Sequence, residues 1–252
     1  MTNNLTFWDH LEELRRCLIR IIGATIVCSI VAFFFREQIF SFLLAPRSAD
    51  FITFMFLSRW FDVGDISAVT LINTGIANQF LVHLRVSVCV GLICVSPYIL
   101  YVLFGFISPA LYRQERSAAL RATISGYLLF MLGLAVNYLV IFPFSVIFLG
   151  TYQVDSSVTN MIDLESYVSL LLVMSFTMGV MFELPVLCAM LGRLGIVNAA
   201  LLREYRRHVL VVILIISAII TPTGDPFTLT LVALPIYLLY ELSILVVARR
   251  EK

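Results

Sequence analysis

Two short segments of this 252-residue chain set carboxylates among arginines beside long apolar runs: His10 to Leu18 (HLEELRRCL) and Phe104 to Arg116 (FGFISPALYRQER). A carboxylate so placed has two uses. It can lace its own helix to an arginine four residues on, as Glu12 and Arg16 are spaced to do. It can also take a guanidinium through two parallel charge-assisted hydrogen bonds, which lysine cannot reproduce. Glu115, beside Arg113 and Arg116, reads on spacing alone as a solvated loop charge. Glu183 is different, because it stands inside an apolar run about ten residues before Arg193. At 1.5 Å per residue it lies about 15 Å from that charged end, near the middle of a bilayer core roughly 30 Å thick. A charge there costs about 2.5–3.5 kcal/mol on insertion scales, so the acid either packs against a neighbour's polar group or has a job.

These groups need spanning helices to hold them. With 61% hydrophobic and 13% charged residues and a mean hydropathy of +1.00, the chain is no soluble globular protein. Six apolar segments stand out, at about 18–35, 76–106, 122–148, 166–192, 209–221 and 227–247. The expected fold is therefore an all-α membrane protein with six transmembrane helices. The N-terminal segment reads as an amphipathic helix, with Trp8, Leu11, Leu14 and Leu18 on one face. Thirteen of the seventeen lysines and arginines fall on one side, against Arg36, Arg47, Arg59 and Arg85 on the other. That bias puts both termini in the cytoplasm, as an even number of spans requires. The last two spans are expected to be short, since the helix between Arg207 and Pro222 can reach only about 21 Å. Pro97, Pro143, Pro185 and Pro235 are expected to bend their helices into a curved, concave wall rather than a straight bundle. The loop from Arg36 to Gly75 should pack as a cap on one face.

Several function classes drop out. His10, His83 and His208 are far apart and show no metal-ligand spacing, so no metal is expected. The five cysteines, all in or beside apolar runs, read as buried free thiols. No nucleophile–base pair or phosphate loop is visible, so neither enzyme nor cofactor is expected. No basic patch with interleaved aromatics points to nucleic acid. The run from Leu18 to Phe35 lacks a cleavage site and reads as a retained first span. Nothing splits off as a soluble domain, so residues 1–252 are expected to form a single integral-membrane domain. A proton-coupled small-solute transporter using Glu183 is one possible occupation for such a chain, although no repeat or paired broken helices mark it.

The other occupation comes from a resemblance. HLEELRRCL, Ala45-Pro46, FGFISPALYRQER, Phe182-Glu183-Leu184-Pro185 and the TPTGDPF turn before Ala233-Leu234-Pro235, in that order, resemble the TatC family over nearly the whole chain. TatC proteins are the multi-spanning receptor subunits of the twin-arginine protein translocase. The resemblance implies a cytoplasmic site for twin-arginine signal peptides of folded precursor proteins, built from Glu13, Leu14, Arg15, Phe106, Tyr112 and Glu115. In it Glu13 and Glu115 would serve the two arginines, over a floor of Phe106 and Tyr112. It also implies an intramembrane groove for partner docking, with Glu183, Thr221 and Asp225. The implied partners are single-span subunits of the TatA and TatB type, other copies of the chain and the lipid bilayer. The implied setting is a bacterial cytoplasmic (inner) membrane, with transport driven by the protonmotive force. Leu229 departs from the pattern by standing where many TatC proteins carry glutamine.

Overall fold

A computed structural model describes residues 7–48, 51–57, 70–107, 116–153, 155, 160–221 and 224–250. The helices are α1 (Phe7–Phe34), α2 (Arg36–Leu44), α3 (Ile52–Leu57), α4 (Asn78–Ile107), α5 (Arg116–Val136), α6 (Phe142–Thr151), α7 (Leu164–Met181), α8 (Leu184–Arg193), α9 (Ala199–Glu204), α10 (Arg206–Ile220) and α11 (Pro226–Arg250). Two strands, β1 (Thr70–Ile72) and β2 (Met161–Asp163), pair in parallel. Residues 1–36 with 83–127 form one compact unit, and residues 37–82 with 128–252 form another.

Among the described residues, five helical stretches are long and apolar enough to cross a membrane: Leu14–Phe34, Asn78–Phe104, Ala122–Thr151, Leu164–Arg193 and Pro226–Arg249. The expected segment 209–221 is helical too, but α10 has only 15 residues. It therefore reaches about 22 Å. The sixth segment corrects the expectation. Far from short, α11 runs 25 residues, or about 38 Å, which exceeds the hydrocarbon thickness. Two polar residues of its second half are satisfied. Ser243 Oγ donates to Leu239 O at 2.7 Å, and Glu241 takes Arg206 Nη2 at 2.7 Å and Tyr237 Oη at 3.2 Å. The N-terminal amphipathic stretch is likewise no separate element, since it runs on into the first span as α1.

The proline positions show how the helices survive. A proline removes the bond that its own nitrogen would give to the carbonyl four residues back. For Pro97 that is Ile93 O, and Ser96 Oγ donates to it at 2.7 Å, so α4 continues unbroken to Ile107. For Pro143 it is Leu139 O, and there the third span opens into a π turn, Asn137–Ile141. Thr53 Oγ1 of α3 donates to Leu139 O. At Pro185 the fourth span breaks instead, into α7 and α8.

In the first unit α1 and α4 pack closely. A Cβ added to Gly91 would lie 2.2 Å from Ser29 Oγ and 3.0 Å from Thr25 O, so only glycine fits that approach. His83 stacks on Phe33 with centroids 4.0 Å apart, and its Nε2 lies 3.1 Å from Phe33 O. The cysteines are free, as expected. They are not buried, however: Cys17, Cys28, Cys89 and Cys188 are half-buried and Cys94 is exposed.

In the second unit α2, the first part of the long loop, packs on the third and fourth spans. Tyr138 stacks on Phe42 at 4.2 Å and donates to Phe42 O, and Tyr167 Oη donates to Leu43 O at 3.3 Å. One carboxylate fastens the strand pair. Asp163 Oδ1 accepts from Thr74 Oγ1 at 2.9 Å and Thr74 N at 3.3 Å, while Oδ2 caps α7 by accepting from Glu165 N at 3.0 Å.

The Thr74 hydroxyl, helped by the backbone amides of Glu165, Thr74 and Ser166, holds the Asp163 carboxyl below the usual carboxylate range. Its folded-state value lies below the unfolded one, so its contribution is complete above the ordinary range and is lost as pH falls through the folded value. Hydrogen exchange should therefore find the 70–72 amides protected at neutral pH and exposed only below about pH 3.9. Loss of protection already near pH 6, roughly two units above that value, would show that Asp163 is not the fastening.

Candidate functional site

Glu183 sits at the break in the fourth span. The last turn of α7 closes with Phe182 N to Met178 O at 3.0 Å and Glu183 N to Val180 O at 3.1 Å. Then α8 starts with Pro185 in its first turn. The Glu183 side chain does not cap α8. It is buried, with the residue 6% exposed, and neither carboxylate oxygen has a hydrogen-bond partner. The break is covered by α5, which approaches at Gly133: a Cβ there would lie 2.7 Å from Met178 O and 2.9 Å from Phe182 Cγ. Gly179 admits the Phe130 ring on the same contact, since its Cβ would come within 2.6 Å of Phe130 Cε2.

Thr221 and Asp225 are brought together at the turn between α10 and α11. Thr221 is buried and donates through Oγ1 to Ser217 O at 2.9 Å. Gly224 N donates to Thr221 O at 3.1 Å, with φ of 59° that suits glycine. Asp225 Oδ1 accepts from Thr228 N at 2.7 Å, which is the turn role its sequence context suggests. No hydrogen bond joins this turn to the Glu183 carboxyl.

At the N-terminal end, Arg16 Nη2 pairs with Glu12 Oε1 at 2.8 Å, both side chains well exposed. Such a pair contributes about 0–1 kcal/mol. Arg15 is exposed and Leu14 half-buried. Glu13 and Phe106 fall within α1 and α4, but their side chains lie outside the described residues, as do Tyr112 and Glu115 altogether.

Three polar residues escaped the sequence reading. Asn137 is buried and donates through Nδ2 to Ser175 Oγ at 2.8 Å, yet its Oδ1 has no partner. Ser217 Oγ and Thr228 Oγ1 are also buried without one. Asn137 carried a usable signal, as the lone amide in the run from Leu128 to Val140. Near it, a cleft of about 240 Å³ is lined by Val136, Val140, Ile141, Phe227, Thr230, Leu231, Leu234 and Pro235. Neither Glu183 nor Thr221 lines it.

A family model described as Sec-independent protein translocase protein (TatC) matches residues 9–235. The chain belongs to the TatC family. Among its relatives, TatC of Deinococcus radiodurans is 36% identical over 94% of this chain and 83% of its own length. TatC of Escherichia coli K12 is 34% identical over 93% of this chain and 85% of its own. A crystal structure of a twin-arginine translocase receptor, TatC, superposes with a TM-score of 0.80 at 32% identity, covering 96% of this chain and all of that one. The chain is thus a TatC-type subunit of the Sec-independent protein translocase and a membrane protein of mostly helical build. The family is a translocase component rather than a catalytic one. A small-solute transporter built on Glu183 is therefore not favoured.

A buried carboxyl without partners costs about 1–3 kcal/mol in the isolated protein. Glu183→Leu should accordingly leave the melting temperature in detergent unchanged or raised, while abolishing export of a folded twin-arginine reporter. Glu183→Gln should keep much of the export, because an amide can also donate a hydrogen bond. Full export by Glu183→Leu would reduce Glu183 to a packing residue.

Proposed function

We propose that this TatC-family chain is the receptor that binds twin-arginine signal peptides of folded precursors at the cytoplasmic face. The single observation that carries the reading is the pair of carboxylates, Glu13 and Glu115, each set among arginines in segments that lie within the family match. Two carboxylates suit two consecutive guanidinium groups, each held by paired charge-assisted hydrogen bonds. Leu14, Arg15, Phe106 and Tyr112 complete the site, the two aromatic residues being suited to cation–π contact with the peptide's arginines. Glu183, Thr221 and Asp225 serve a later step, docking single-span subunits of the TatA and TatB type or a deeply inserted signal peptide. At about 15 Å from Arg193, Glu183 is too deep to meet the same arginines as Glu115. Other copies of the chain join the complex, and the protonmotive force drives export.

In this reading residues 1–252 form one integral-membrane domain of six spans in the bacterial inner membrane, with both termini cytoplasmic. The thirteen-to-four charge asymmetry supports the orientation. The sixth crossing needs α10, whose roughly 22 Å calls for local thinning of the bilayer.

Glu115→Ala should abolish binding of a twin-arginine peptide to the purified protein, and Glu115→Gln should leave a weak remnant through neutral hydrogen bonds. Unchanged affinity in Glu115→Ala would sink the assignment. The orientation has its own test in a variant lacking the native cysteines. Asp155→Cys should react with a membrane-impermeant thiol reagent from outside intact spheroplasts, and Arg203→Cys should not. Labelling at position 203 would reverse the topology.

A further inference from the structure

We infer that α3, part of the loop expected to cap one face, is set into the lipid surface and binds acyl chains of the leaflet opposite Arg121. The observation is a depth. Thr53 of α3 is tied to Leu139 O, inside the third span. That span is apolar from Ala122 onward, and Leu139 lies 17 residues further along. At 1.5 Å per residue the bond sits about 26 Å from Ala122, still within a core roughly 30 Å thick. Tilting the span only brings it deeper. The residues beyond Leu139, up to Thr151, carry the helix on for about 18 Å more, so the bond lies well short of the far end of the apolar stretch.

The faces of α3 agree with that depth. Phe54 is buried against the protein and Thr53 makes the bond, while Ile52 is 70% and Met55 61% exposed. The segment Phe51 to Leu57 carries no charge. In water such a face would be an exposed apolar patch, whereas at the acyl boundary it is the ordinary lipid-facing side of an interfacial element. Thr53 has a double task here. It satisfies the carbonyl that Pro143 leaves open, and in doing so it pins α3 at membrane level.

The inference rests on the third span crossing the bilayer, and one experiment separates the two. Spin labels are placed by Ile52→Cys, Met55→Cys, Leu128→Cys and Tyr152→Cys in the full chain lacking native cysteines. The protein is reconstituted in vesicles of phosphatidylethanolamine and phosphatidylglycerol. Leu128, exposed and about 9 Å above Ala122, is the lipid control, and Tyr152, exposed at the far end of α6, is the water control. Labels at 52 and 55 should collide more with oxygen than with a water-soluble nickel chelate, as at 128, with the reverse at 152. Nickel-dominated collisions at 52 and 55, with 128 still lipid-like, would overturn the inference alone. Poor access to both, with dipolar broadening between labels, would show that a second copy covers α3 and overturn it as well. A water-like label at 128 would overturn the membrane reading and the inference together.

Discussion

Hydrocarbon supplies no hydrogen bonds, so every interruption of a spanning helix has to be answered from within the protein. That constraint organises this chain. Past their first residues, its spans carry prolines at four places (Pro97, Pro143, Pro185 and Pro235), and each removes a donor. At Pro97 the answer is local, from the neighbouring Ser96 to Ile93 O, and the helix continues past the gap. At Pro143 the answer comes from 86 residues away, when Thr53 reaches Leu139 O. The π turn widens the helix there. A loop is thereby fixed to a span by the same bond that repairs the span.

The polar groups left unanswered stand out against this economy. Glu183 Oε1 and Oε2, Asn137 Oδ1, Ser217 Oγ and Thr228 Oγ1 are all buried without partners. Each costs stability in the isolated chain, and a carboxyl costs more than a hydroxyl. A subunit that assembles with others can carry such groups, since the assembled state supplies what the isolated one lacks. Glu183 fits best, because Pro185 breaks the helix at the residue whose side chain is left over.

Much of this was legible in the sequence. The apolar runs gave the helices, the short fifth helix followed from counting between Arg207 and Pro222, and Asp225 read as a turn residue and is one. The motifs near Glu13 and Glu115 gave the family, although the side chains of Glu13, Phe106, Tyr112 and Glu115 lie outside the described residues. Hidden from the sequence were the features that depend on distant partners. Nothing near Pro143 announces that Thr53 will supply its missing donor. The apolar run marked the last helix to residue 247, past Glu241, but could not show what partners that acid. In the structure Glu241 is half of an ion pair with Arg206. Asn137 was overlooked because one amide barely lowers the hydropathy of a long apolar run.

The length of α10 has a further consequence for the turn that follows it. Starting from Arg206 at a charged end, a helix of about 22 Å stops short of the far side of a 30 Å core. The turn holding Thr221, Gly224 and Asp225 is then at hydrocarbon depth unless the bilayer thins around it. Its bonding is inward, as that position demands: Thr221 Oγ1 to Ser217 O, Gly224 N to Thr221 O, and Thr228 N to Asp225 Oδ1. A helix one turn longer would lift the loop by about 5.4 Å, towards water that could serve these groups instead. The shortness of α10 and the self-sufficiency of the turn are therefore one feature. In a bilayer that does not thin there, Asp225 and the buried Ser217 and Thr228 hydroxyls would meet only protein or lipid.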